Sequence, residues 1–270
     1  IVKMNKLSDR LNRLSYSQTF VMSNKARDMK AAGIDVISLT LGEPDFDVPD
    51  NIKKAAFDAI NENYSHYSPV PGFLELRKAI VNKLKRDNNL DYKPTQICVA
   101  NGAKQNIFNV LAALVNEGDE VILPAPYWVS YDEMVKINGG VSVFIETNID
   151  TEFKMTAEQL EAAITPKTKA VLYSSPCNPS GSYYTREELE KIANVMAKYP
   201  DVVIISDEIY EFINYDGEHV SIAEFPQVFN QTAVINGMSK AFAMTGWRIG
   251  YSACPEWLAD ACDKLQGQVT

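Results

Sequence analysis

Histidine is scarce in this sequence: there are two, His66 and His219, and neither has a ligand-spaced partner nearby. That disfavours a zinc hydrolase and a histidine-dependent triad. The four cysteines, Cys98, Cys177, Cys254 and Cys262, make no C-x-x-C pair. Cys98 and Cys254 sit in apolar runs, so buried free thiols in a reducing compartment are expected rather than disulfides or a metal site. No apolar run nears the roughly 18 residues of a membrane span. The charged N-terminal segment lacks the apolar stretch of a signal peptide, so a cytoplasmic location is expected. Basic charge is also short: 26 Lys and Arg face 35 Asp and Glu, a net charge of -9. Such a chain is a poor partner for nucleic acid or anionic lipid. Neither G-x-G-x-x-G nor G-x-x-x-x-G-K-[ST] occurs, which removes support for a nicotinamide dinucleotide or P-loop site. Internal repeats and low-complexity segments are absent as well.

What is there is a globular composition, 46% hydrophobic and 23% charged over 270 residues. From about residue 50 helical and strand patterns alternate. Strands are expected at "QICVA", "EVILP", "VSVFIE", "AVLYS", "VVIIS", "AVIN" and "IGYSA". Between them lie helical segments, two of which open with capping boxes, Thr156 with Gln159 and Thr185 with Glu188. Seven strands, several nearly continuous in Val, Ile and Ala, require a sheet covered on both faces. The expected fold is a three-layer α/β sandwich with a seven-stranded, mostly parallel sheet. The last two strands are joined by a short loop, so one of them can run antiparallel. Residues 1–49 differ, being polar and Ser-rich before "VISLTLGEPDF", and read as an arm and a piece of another unit.

Ligands of open α/β sheets bind beyond the carboxyl ends of the strands. That rule gathers Asn101–Lys104, Ala125–Trp128, Ser175–Pro179, Asp207–Tyr210 and Ser239–Lys240 at one crevice. Each residue alone has an ordinary explanation. The glycine of "NGAKQN" makes a turn, though it also exposes helix N–H groups to an anion. Asp207 caps a turn, Asn178 is a turn residue between prolines, Trp128 is core, and Arg248 pairs with a surface carboxylate. Lys240 is harder to dismiss, because its neighbours Met238, Ala241, Phe242, Ala243 and Met244 offer no polar surface. Taken together the residues describe an anion site, an aromatic plate, a carboxylate, hydrogen-bonding groups and a desolvated amine. Pyridoxal phosphate carries the matching phosphate, flat ring, ring nitrogen, phenolic oxygen and aldehyde.

"LGEPDF", "NGAKQ", "PYWVSY", "SPCNPSG", "SDEIYE" and "SKAFAMTGWRIG" occur in an order and spacing similar to those of the class I aminotransferases of the aspartate aminotransferase type. These form subgroup Ib of the fold-type I pyridoxal phosphate superfamily, and the resemblance covers essentially the whole chain. It implies that Lys240 forms the aldimine with pyridoxal 5'-phosphate and then acts as the base. It implies that Asp207 pairs with the ring nitrogen, that Tyr210 and Asn178 bond the ring oxygen, and that Trp128 stacks on the ring. The Ala103–Lys104 turn, Ser239 and Arg248 are expected at the phosphate, joined by Tyr67 from a neighbouring subunit of a homodimer. Gly42, Trp128 and Asn178 are expected at the substrate. Lys104, helped by Ser17 and Thr19, is expected to read a second carboxylate.

The domains implied are an arm with part of a small domain over 1–49 and a large cofactor domain over 50–270. Family members run past this length, so a C-terminal small-domain segment with a carboxylate-clamping arginine is expected beyond "LQGQVT". The leading expectation is transamination of aspartate or glutamate with a 2-oxo acid. The alternatives are a C–S β-lyase, an aminotransferase for neutral or aromatic amino acids, and a cofactor-less scaffold or regulatory protein on the same fold.

Overall fold

The computed structural model describes residues 6–215 and 217–270; the first five residues of the expected 1–49 arm lie outside these. Among the described residues seven strands form one sheet: β1 Ile97–Asn101, β2 Glu120–Ala125, β3 Val141–Glu146, β4 Thr168–Ser174, β5 Val203–Asp207, β6 Thr232–Gly237 and β7 Ile249–Ala253. All seven fall where the apolar runs place them. The sheet order is β1-β7-β6-β5-β4-β2-β3. Neighbours from β3 through β6 are parallel. Only β7 is reversed, antiparallel to both β1 and β6.

Both sheet faces are apolar, and strand periodicity shows it directly. Along β5, Val203 and Ile205 join one buried cluster while Ile204 joins another on the opposite face. Val121 and Leu123 of β2 and Ala233 and Ile235 of β6 share the first face. Ile122 and Val234 point the other way. The first face is covered by α5 (Ala103–Leu114), α6 (Ser130–Ile137) and α9 (Glu256–Gln266). The second is covered by α4 (Leu74–Asn88), α7 (Ala157–Ala163) and α8 (Arg186–Met196). Full burial of each such aliphatic side chain contributes about 1.5–3 kcal/mol, so two-sided covering is the main stabilising term.

Helix starts follow local chemistry. Thr156 Oγ1 accepts from the Gln159 N–H at 3.2 Å, and Gln159 Oε1 accepts from the Thr156 N–H at 2.9 Å. Thr185 and Glu188 repeat the arrangement at α8. The N-terminal arm holds two helices the sequence pattern did not announce, α1 (Asp9–Asn12) and α2 (Gln18–Ala31). Neither has a buried residue; α1 is four residues long and the apolar residues of α2 fall on no single face, so periodicity has nothing to report there. The remaining helix, α3, spans Asp50–Asn61. Among the described residues no helix is long and apolar enough to cross a membrane.

Candidate active site

The carboxyl ends of β5 and β6 are neighbours in the sheet, which brings Asp207 and Lys240 to one crevice. Asp207 closes β5 on the face of Ile205, 4% exposed. One carboxylate oxygen accepts from the Tyr131 hydroxyl at 2.6 Å and the other from the Ile209 N–H at 3.3 Å. Both donors are neutral. Burial therefore dominates and pushes the Asp207 carboxyl up to about 6, against the pull of those hydrogen bonds. The geometry leaves the carboxylate short of a cation.

Lys240 follows β6 and is half-buried. Its Nζ donates to the Gly42 carbonyl at 2.6 Å and lies 5.8 Å from the centre of the Tyr210 ring. Burial lowers its pKa below the ordinary lysine value; nearby Glu43 opposes this and Arg248 reinforces it. Tyr210 and Asn178 meet across the crevice, Asn178 Nδ2 donating to the phenol oxygen at 3.3 Å. Burial raises the Tyr210 phenol, so it is a protonated donor at neutral pH.

At the other edge, Gly102 precedes α5 with φ +83°, and a side chain there would collide with the Arg248 guanidinium. A Cβ on Gly250 of β7 would run into the backbone of Gly102 and Ala103. The start of α5 is thus laid directly on β7, with its free N–H groups and Arg248 side by side. Arg248 holds φ +58°, an uncommon conformation for a non-glycine residue. Its guanidinium donates to the Thr245 carbonyl at 2.9 Å and the Asn101 carbonyl at 3.4 Å. Ser239 is buried at the end of β6. Lys104 sits over the Trp128 ring, 4.8 Å from its centre, and 5.9 Å from that of Phe20. Lost hydration, then the charge of Arg248, pulls the Lys104 amine below its usual pKa. The Phe20 contact brings the start of α2, which carries Ser17 and Thr19, beside Lys104.

Two expected residues stand differently from the rest. Gly42 offers its carbonyl to Lys240, so in this arrangement that oxygen is engaged by the lysine. Tyr67 is fully exposed in the loop before α4, pointing to no neighbour within the crevice. Sequence reasoning missed two participants. Tyr131 follows Trp128 by three residues and packs edge-on against it at 5.5 Å; a buried tyrosine needs an acceptor, and that rule was the available signal. Glu43 accepts from Thr245 at 2.7 Å and adds negative charge near Lys240; nothing local in "LGEPDF" distinguishes it.

The residues present suit pyridoxal phosphate. A buried carboxylate held only by neutral donors matches a protonated ring nitrogen. Two neutral donors, Asn178 and Tyr210, match an anionic ring oxygen. A helix start that admits no side chain, beside an arginine, matches a phosphate.

Comparison with known proteins agrees with this. The family model described as "Aminotransferase class I and II" matches residues 34–270. The chain is 52% identical over 266 residues to a probable aspartate/prephenate aminotransferase of Rhizobium leguminosarum bv. phaseoli, covering 98% of this chain and 66% of that protein. It is 53% identical over 249 residues to an aspartate aminotransferase of Bacillus sp. strain YM-2, covering 92% of this chain and 63% of the relative. The solved structure of the Thermus thermophilus aspartate aminotransferase with maleate superposes with a TM-score of 0.95 at 42% identity, covering 98% of this chain and 69% of that one. The chain thus spans slightly under two thirds of the length of these curated relatives.

Proposed function

Because this chain belongs to the class I and II aminotransferase family, we propose that it moves an amino group between an L-amino acid, aspartate or glutamate first, and a 2-oxo acid. The observation that carries the reading is the buried Asp207 carboxylate, held by neutral donors, in the same crevice as the half-buried amine of Lys240. Pyridoxal phosphate supplies, when bound, an aldehyde for amine exchange and a ring that accepts the electron pair left by a broken Cα–H bond. In this reading Asp207 holds the ring nitrogen, Asn178 and Tyr210 hold the ring oxygen, and Trp128 lies against the ring. The α5 start at Ala103 and Lys104, Ser239 and Arg248 hold the phosphate. Lys240 Nζ takes the proton from the substrate α-carbon, and its lowered pKa raises the fraction of free amine available to do so. Asn178, Trp128 and the Gly42 backbone border the substrate.

Residues 50–270 form the cofactor-holding unit in this reading and 1–49 the arm and part of a small domain. The free buried thiols of Cys98, Cys254 and Cys262 fit a cytoplasmic location. The direct test is incubation with aspartate and 2-oxoglutarate, with prephenate as a second acceptor. Glutamate and oxaloacetate are expected; with a sulfur amino acid such as cystathionine in place of aspartate, ammonia and pyruvate released without any acceptor would make the protein a C–S lyase instead.

Substrate choice rests on Lys104. A charge-assisted hydrogen bond contributes ~1.5–3 kcal/mol, or roughly 10–150-fold at ~1.4 kcal/mol per decade. Lys104→Ser should lower kcat/KM for aspartate and glutamate by about that factor and leave alanine and aromatic substrates little changed. The maleate of the Thermus structure, a dicarboxylate, accords with this. Equal losses on acidic and neutral substrates would mean that the Lys104 amine, and not only the backbone at that turn, serves the phosphate.

A homodimer with shared sites completes the proposal. Phe57, Ile60, Tyr64, Tyr67, Phe73 and Leu74 are exposed in one continuous stretch, and Tyr64 meets Phe73 edge-on at 5.7 Å. An apolar patch of this kind marks an interface. Mixing Lys240→Ala subunits with Tyr67→Asp subunits should restore activity in heterodimers, which regain one site with both native residues. Heterodimers that form and stay inactive would mean each site is built within one chain.

A further inference from the structure

The turn after β5 carries two kinds of side chain. Asp207 and Tyr210 face the crevice. Glu208 and Glu211 point the other way, and both are buried. For Glu208 the reason is strand periodicity, since it shares a face with Ser206. It accepts from Ser206 at 2.9 Å, from Ser221 at 2.7 Å, and pairs with His219 at 3.0 Å. These ties run back to β5 itself and to the 219–221 segment.

Glu211 is connected differently. One of its carboxylate oxygens accepts from Asn236 Nδ2 at 2.9 Å and takes a close ion pair with Lys83. The other accepts from Asn88 Nδ2 at 2.8 Å. Lys83 and Asn88 belong to α4 and bond each other at 2.7 Å. Asn236 lies in β6, four residues before Lys240, and its side-chain oxygen caps the Gly237 N–H at 2.7 Å. Glu211 therefore joins, through one carboxylate, the turn that presents Tyr210 and the strand that delivers Lys240. Phe212 and Phe242, 6.3 Å apart between ring centres, make a second contact between the same two loops. Lys83 reaches over Phe212 at 5.2 Å.

We propose that Glu211, through Asn236, is a positioning residue that sets Tyr210 against Lys240 from behind the sheet edge. The proposal rests on the aminotransferase reading above. It does not touch the reacting atoms. A buried carboxylate is costly to keep unless it is paired and bonded, and here its bonds tie the Tyr210 turn to β6, the strand that leads to Lys240, through Asn236, and to α4 through Lys83 and Asn88. Displacement of a reacting group by about 1 Å can lower a rate by about a hundredfold, so a tie of this sort has a large lever.

The test uses the full-length protein loaded with pyridoxal phosphate. Its readouts are the pH midpoint of the bound cofactor's visible absorption and the kcat and KM for aspartate. Asn236→Ala cuts the carboxylate's tie to β6 and leaves in place the Glu211–Lys83 pair and the backbone bond from the Glu208 N–H to the Ile235 carbonyl. It should lower kcat about tenfold or more with little change in KM. It should also move the absorption midpoint upward, because a displaced Tyr210 donates less well to the ring oxygen. Glu211→Ala should do the same if it folds. The double variant Lys83→Met with Glu211→Gln leaves no uncompensated buried charge; its amide oxygen still accepts from Asn236, and both readouts should return toward those of the native protein.

A lowered melting temperature in Asn236→Ala with native kcat and native absorption midpoint would overturn the proposal, leaving Glu211 a structural residue only. Failure of the underlying reading looks different. The native protein would then lack a visible absorption that depends on Lys240.

Discussion

Lys240→Ala should reduce transamination by on the order of 10⁴-fold, the upper end of what one positioned base contributes, because the same amine serves as nucleophile and proton carrier. The position is specific. Lys240 Nζ is held 2.6 Å from the Gly42 carbonyl, with the Tyr210 ring beside it. Its pKa is lowered chiefly by burial, so a free amine is accessible there at a lower pH than at an exposed lysine. Arginine or alanine cannot supply that. A second readout is independent of turnover. After borohydride treatment and denaturation, the native chain should retain pyridoxyl fluorescence and the variant should not. Retained activity in Lys240→Ala without added amines would remove the central assignment.

Asp207→Ala should lower kcat by about 10²–10³-fold, the range for losing one preorganised electrostatic group, while the lysine-dependent absorption survives. Asp207→Asn adds a test in the empty protein. The Asp207 carboxyl titrates near 6 in the fold against an ordinary aspartate value of about 3.9. The native state thus holds its proton more tightly than the unfolded chain. Stability from this group is fully present below about pH 4 and is lost as pH rises through about 6. A difference of roughly two units corresponds to about 3 kcal/mol. Asp207→Asn should therefore stabilise the cofactor-free protein by up to about that amount at pH 7–8, with little gain at pH 4. Chemical denaturation at the two pH values measures it. An Asn variant that is no more stable at pH 8 than the native protein would mean the carboxylate already has its counter-charge within the chain. A stabilising loss-of-function substitution is what a site kept for its ligand predicts.

The strands and most helices were legible because burial imposes a period on the residues that are buried. β5 shows the limit of that signal. Alternation says that Asp207 and Glu208 face opposite ways, and nothing in "SDEIYE" says which one looks into the crevice. Sheet order decides it: α6 covers the Ile205 face, and the Tyr131 hydroxyl is there to receive Asp207. α1 and α2 were illegible for a different reason. α1 is only four residues long and α2 gathers its apolar residues on no single face, unlike α3, which has no buried residue either yet keeps an apolar stripe, so the arm gave no helical signal although it is helical over Gln18–Ala31.

The sequence by itself determined which segments are strands, that the sheet is covered on both faces, and which strand ends carry polar side chains. Those are local properties, written in residue period, capping pairs and the residues that follow each apolar run. Only the tertiary structure decided the order β1-β7-β6-β5-β4-β2-β3, the reversal of β7, and the meetings that depend on them. Tyr131 reaches Asp207, Gly42 and Glu43 come to the Lys240 loop, and Glu211 bonds Asn236. The first and last of these are fixed by which strands lie side by side, and the contacts of Gly42 and Glu43 by where the segment before α3 meets the loop between β6 and β7. Two sheets with the same strands in another order would bury the same apolar area and satisfy the same local patterns, yet would set these side chains apart.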